Sequence, residues 1–371
     1  MAIQVNQPSA GHLSDDPEAL DRIAFFQAVH EGFRRAEQRT GASIDRFYRI
    51  GGHAICLRFA GSALLPHITP AIAHLSTEPV EAPAMTVCLW DSSSTNAKMP
   101  LVVSGFISHL SLHWWEFLEN RREIRGLNDS RIRTTFHIGP NILSVLDLQQ
   151  NLALYWVHDA SQIPYYEKGY PLTTLLSWWL ESTDLQCIHA AAMGTPRGGV
   201  LLPGKGGSGK STAALACASS GLGLLGDDYC LVATDSSPYA YSMYNTVKLK
   251  GEEDIQRFPL FAPLISNADR LNEEKAMIFL HEHHPEKILQ GFPVRAILLP
   301  RITSEKRTRL RDATAGEALR ALVPSTLIQL PGAGQRAFHL MSRLVRKVAC
   351  YTVELGTDVS GIPGVIASML K

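Results

Sequence analysis

Apolar residues recur at helical spacing early in the chain, at Ile23, Phe26, Val29 and Phe33, which predicts an amphipathic helix over residues 20–38. Short β-branched and aromatic runs at 47–59 and 85–90 predict strands, and 134–157 reads as strands about a Gly139-Pro140-Asn141 turn. The charged stretch 116–133, with Arg121, Arg122, Arg125, Arg131 and Arg133, is expected to be a solvated helix and loop. Residues 1–18 are polar and rich in turn formers, and predict a flexible tail.

The pattern changes after residues 162–169, where Pro164, aromatics and charges mark a candidate linker. A helix is predicted over 171–181, then two apolar strands, 185–193 and 199–202, separated by a Gly/Pro turn. A helix at 210–220, a strand at 222–226 and another at 294–299 follow, and the tail reads helix, helix, strand, short helix. The expected class is α/β, divided into a tail (1–18), a mixed α/β N-terminal unit (19–165) and a C-terminal unit (166–371).

Composition narrows the picture little. Hydrophobic residues are 45% and charged residues 19% of the 371, values of an ordinary packed protein. Lys plus Arg equals Asp plus Glu at 35 each, so no global field draws the chain to nucleic acid or to an anionic membrane. The six cysteines lie without a C-x-x-C pair and suit a reducing compartment. With no apolar run near bilayer length and no signal-peptide pattern, a cytoplasmic protein is expected.

The strongest chemical signal is Gly204-Lys205-Gly206-Gly207-Ser208-Gly209-Lys210-Ser211-Thr212, which fits G-x-x-x-x-G-K-[ST] between an apolar strand and a helical segment. Glycines let successive backbone N–H groups turn inward on a phosphate, and the helix adds its positive end. Lys210 is expected to neutralise β- and γ-phosphate charge, with the Ser211 hydroxyl on Mg²⁺, so that ATP and Mg²⁺ are the expected cofactors. Lys205 is expected to be solvated.

Gly226-Asp227-Asp228 closes the next strand. If strand, loop, helix and strand form a parallel crossover, both carboxylates emerge at the same sheet edge as the glycine loop. His189 sits in the preceding apolar strand, where a lone histidine reads first as a core residue. His281-Glu282-His283-His284 lacks i, i+4 zinc-ligand spacing and reads as a polar loop. Arg295 and Arg301 flank a strand and read as solvated.

The segments IHAAAMG, LLPGKGGSGKSTAAL and GLLGDDY together resemble the HPr kinase/phosphorylase family, whose P-loop fold is related to phosphoenolpyruvate carboxykinase. The ending CYTVELGTDVSGIPGVI is similar to the tails of HPr-kinase-like proteins of peptide-modification gene sets, including lasso-peptide precursor kinases, so the resemblance spans about residues 170–371. It implies a C-terminal P-loop kinase domain, with Asp227 as base toward a serine or threonine hydroxyl of a peptide or protein, Asp228 on magnesium and His189 in support. A homo-oligomer is compatible with it. The family's further acidic metal ligand is replaced here by Lys248, and its C-terminal arginine-rich loop has no counterpart, which points to a kinase-like relative with another substrate. A small-molecule kinase with the same site, and a nucleotide-binding scaffold without turnover, remain alternatives at this point.

Overall fold

The computed structural model describes residues 21–99, 118–119, 122–330 and 334–370. The tail expected at 1–18 lies outside the described residues, as does Arg121. The first helix, Arg22–Thr40, starts where Asp21 accepts the N–H groups of Ile23 and Ala24, and stops at Gly41, whose φ of 81° a side chain would resist. Its buried face, with Phe26, Val29 and Phe33, covers one face of the first sheet beside Trp90, Phe136 and Trp156.

That sheet is mixed and has eight strands: β1 (Ser43–Ile50), β2 (His53–Ala60), β3 (Met85–Asp91), β4 (Leu118–Glu119), β5 (Glu123–Ile124), β6 (Ile132–His137), β7 (Ile142–Asp147) and β8 (Leu152–Val157). Their order is β1-β2-β3-β8-β7-β6-β5-β4. The described part of 116–133 is therefore not a solvated helix. It pairs as short strands, and its arginines find carboxylates: Arg131 makes a two-pronged bond with the fully buried Asp147, and Arg133 and Arg125 lie near Glu181 and Glu119.

The second sheet is built from β9 (Leu185–Thr195), β10 (Gly198–Pro203), β11 (Gly223–Gly226), β12 (Tyr229–Ala233), β13 (Tyr239–Ser242), β16 (Gly291–Ile302), β17 (Arg309–Asp312) and β18 (Ala349–Leu355). β14 (Thr246–Leu249) and β15 (Ala276–Phe279) form a separate ribbon. The main order is β10-β9-β12-β13-β16-β18-β17, and β10 also pairs with β16, so five strands close a circuit. The helix Lys210–Ser219 packs on one face with Ala213, Leu215 and Cys217, while the helices Ala315–Gln329 and Gln335–Lys347 cover the other. All six cysteines are free and buried. Among the described residues no helix is long and apolar enough to cross a membrane.

Each large sheet draws its strands from one side of 162–169, yet that segment is not a loose tether. Residues Tyr165–Gly169 form a short helix, the Gly169 carbonyl accepts from the Thr246 hydroxyl, and Glu167 accepts from the Tyr155 hydroxyl. The two sheets also share a core in which Tyr48, Leu57 and Trp178 meet Leu231, Met243 and Met277. Polar bonds cross the same boundary: His74 Nε2 lies 2.7 Å from Ser242 Oγ, and the Asn245 amide donates to the Pro70 and Ala71 carbonyls.

Candidate functional site

The site grows from the end of β10. After Pro203 the chain turns through Gly204–Gly209 and enters the helix at Lys210. Gly209 holds φ 95°, and a Cβ there would stand 2.5 Å from Leu355 Cδ1, so both backbone and neighbours require glycine. Gly207 also has positive φ, at 78°, while Gly206 and Lys205 are exposed. Lys210 folds back over its own loop, its ammonium donating to the carbonyls of Gly204 at 2.9 Å and Lys205 at 3.3 Å. Burial pulls its pKa below the usual lysine value against the opposing charges of Asp228 and Asp227. Ser211 and Thr212 lie half-buried on the first helical turn, and the Ser208 hydroxyl is buried with no partner among the described residues.

The two aspartates reach the same edge by a different route from a simple crossover. β10 and β11 both pair antiparallel with β9, one on each side, so they run in the same direction with β9 between them. Asp227 and Asp228 therefore leave β11 beside the glycine loop, but their side chains diverge. Asp227 is 1% exposed. Its Oδ2 takes a hydrogen bond of 3.1 Å from the Lys248 backbone N–H, Ser211 stands near enough to oppose the rise in its pKa, and its Oδ1 has no partner among the described residues. Burial and the adjacent Asp228 charge push its pKa above the usual carboxylate range.

Asp228 faces away, into a cavity. The Tyr170 hydroxyl donates to its Oδ2 at 2.8 Å, and His189 Nε2 stands 3.6 Å from its Oδ1. Burial opposes ionisation, but His189, Lys248 and the Tyr170 hydroxyl outweigh it and hold this carboxyl below the usual range. His189 is thus not an isolated core histidine. It lies opposite Tyr229 in the β9–β12 ladder, its backbone N–H donates to Thr326 Oγ1, and its Nδ1 is buried with no partner among the described residues.

Lys248, on β14, is 9% exposed and carries its ammonium 3.9 Å from the centre of the Tyr170 ring. Burial lowers its pKa to about 8 against the pull of Asp228 and Asp227. Lys248 had been marked through the resemblance as standing where an acid is expected; Tyr170 had not, although Tyr165 and Tyr166 in the expected linker and Tyr170 just after it were a usable signal. The other candidates lie elsewhere in the fold. His281 and His283 fall on a short helix, Leu280–His283, not a loop, and His281 packs against His74. Arg295 and Arg301 are exposed on β16, Arg295 donating to the Arg197 carbonyl.

No protein-family model matches the chain, and no curated protein matches it. Among solved structures it is similar to the Hpr(Ser) kinase/phosphatase from Coxiella burnetii, at 12% identity over 50% of this chain and 93% of that one, with a TM-score of 0.27.

Proposed function

We propose that the chain is an ATP- and Mg²⁺-dependent phosphotransferase acting on a hydroxyl, with a serine or threonine of a peptide or protein as the leading acceptor. One observation supports this reading: β11, which ends in Asp227 and Asp228, runs parallel to the strand that leads into the glycine loop, one strand away, and Asp227 is buried there while the next residue, Asp228, lines a cavity on another side. A phosphate-holding loop and an acceptor space thus meet at two adjacent carboxylates.

The residues present fit a magnesium nucleotide. The Ser208 hydroxyl and Asp227 Oδ1 are buried polar atoms lacking partners among the described residues, as a site built to complete its bonds with a ligand would have. The loop N–H groups and Lys210 would hold the phosphates, and Ser211 with Asp227 would hold Mg²⁺, which when bound supplies positive charge against phosphate oxygens. Gly204, Gly206, Gly207, Ser208, Gly209 and Thr212 complete the nucleotide side.

The roles proposed for the aspartates are exchanged relative to the expectation from resemblance. Asp227 is enclosed beside Ser211, on the metal side, whereas Asp228 lines the cavity and has His189 and Tyr170 to orient it, as a base toward an acceptor hydroxyl must. Within this reading, the chain divides at 165/166 into a unit that walls the acceptor space and a unit that carries the nucleotide. Incubating the chain with labelled Mg-ATP and peptides encoded beside its gene, followed by mass spectrometry, tests it. Absence of both transfer and hydrolysis would leave a nucleotide-binding scaffold.

A further inference from the structure

A cavity of about 470 Å³ lies against Asp228. One wall comes from the first sheet, with Thr135 and His137 on β6 and Ser144 on β7. The opposite wall carries Lys248, Tyr170 and Tyr229, and Arg122 stands exposed at the rim. No glycine-loop residue lines it, so it is not the nucleotide's own space. Its volume is that of a small-ligand pocket.

The charges of its lining are specific. Lys248 makes no side-chain hydrogen bond or ion pair with any described residue, and its ammonium is held over the Tyr170 ring. The hydroxyl of that same tyrosine binds Asp228, so one rigid side chain fixes both the cation and the carboxylate. Arg122 is the second cation, and it shares with burial the effect of pulling His137 down to about 4, which leaves that ring a neutral partner near pH 7. Asp228 and Asp227 act on this ammonium without pairing with it directly, so a charged partner in direct contact is left for a ligand to supply. A monoanion on the ligand supplies one, whereas a phosphate dianion would add excess negative charge beside Asp228 and the nucleotide.

We propose that this cavity is the acceptor site and that it takes a hydroxyl-bearing acceptor with a nearby carboxylate, Lys248 holding the carboxylate while Asp228 receives the hydroxyl. The inference rests on the phosphoryl-transfer reading above. In the step, the acceptor O–H bond breaks and its proton passes to Asp228. The acceptor oxygen bonds to the γ-phosphorus as the bond to the β–γ bridging oxygen breaks, and ADP leaves. The same chemistry is offered by a free hydroxy acid and by the carboxylate end of a peptide.

The test uses the full chain with Mg-ATP. Binding is read with hydroxyl-free probes, N-acetylalanine against its amide, and transfer with N-acetylserine and a tetrapeptide ending in serine, each against its amide. The acid should bind about tenfold or more tightly than the amide, as expected for a charge-assisted contact. Lys248→Met should bring the two within about twofold and Lys248→Arg should keep part of the preference. Transfer to N-acetylserine or to the tetrapeptide then tells a free metabolite from a chain end. Equal binding of acid and amide by the parent protein overturns the proposal with no variant needed, as does binding of neither. A preference that survives Lys248→Met in a folded variant also overturns it. Equal transfer to acid and amide also overturns it, while the phosphotransferase reading stands. Acid-selective binding without transfer to any probe overturns the acceptor assignment, and ATP hydrolysis measured on the same protein then separates this failure from failure of the phosphotransferase reading.

Discussion

The Tyr170 hydroxyl donates a 2.8 Å hydrogen bond to Asp228 Oδ2, joining the short segment between the two sheets to the end of β11. This bond ties the cavity-facing carboxylate to the segment that joins the two sheets. Tyr170→Phe should remove a donor to a charged acceptor, raise the Asp228 pKa towards its ordinary value and reduce transfer by about tenfold. A pH–rate profile checks it: the acidic limb should move upward in pH, and an unmoved limb would contradict the link.

The aspartate assignment separates binding from chemistry. Asp228→Asn should leave Mg-ATP affinity nearly unchanged and lower transfer by about a hundredfold or more. Asp227→Asn should weaken magnesium-dependent nucleotide binding instead, because an amide is a poorer ligand for a hard cation. Titrating Mg-ATP and following transfer in both variants decides it, and the opposite pattern would restore Asp227 as the base.

Lys210 donates to two carbonyls of its own loop, so its ammonium is already positioned where inward-facing N–H groups would meet phosphate. Lys210→Ala should cut turnover by about a hundredfold or more, by loss of electrostatic stabilisation. Unchanged turnover in the purified variant would remove the glycine loop from the mechanism.

Stability should depend on pH through Asp227. Its folded-state pKa is raised by burial and by Asp228, so the folded protein keeps a proton that the unfolded chain releases. That contribution is fully present below the ordinary carboxylate pKa and is lost as pH rises from there through the raised value. In magnesium-free buffer, Asp227→Asn should therefore gain thermal stability relative to the parent as pH rises from about 4 to about 8. A difference in melting temperature that stays constant over this range would exclude the effect.

The shared core makes a further prediction about the boundary. A fragment of residues 166–371 would lose the first-sheet residues, such as Tyr48, Leu57 and Tyr155, that share one buried cluster with Leu231, Met243 and Met277. It should be less stable than the whole chain and bind a hydrophobic dye, whereas a fragment of parent stability would show two independent cores.

The sequence alone determined what depends on neighbours along the chain. The spacing of Ile23, Phe26, Val29 and Phe33 specified the first helix, and the glycines before Lys210 specified a turn that other residues cannot make. The strands around Gly139-Pro140-Asn141 and the elements from 171 to 226 were legible for the same reason, whereas the strands and short helices between 229 and 290, and β17, were not. Tertiary structure decided everything that joins distant segments. The described part of 116–133 is not a helix because pairing with β6 and bonds to Asp147 and Glu181 override local charge patterning. The linker became a wall of the site because Glu167 and Gly169 find hydrogen-bond partners only once Tyr155 and Thr246 are folded beside them. The differing surroundings of Asp227 and Asp228 were likewise invisible, since adjacent residues leaving a strand point to opposite sides. Which side holds Ser211 and which holds Tyr170 and His189 is fixed by how the sheets pack, through contacts that span up to 58 residues of chain in the case of Tyr170.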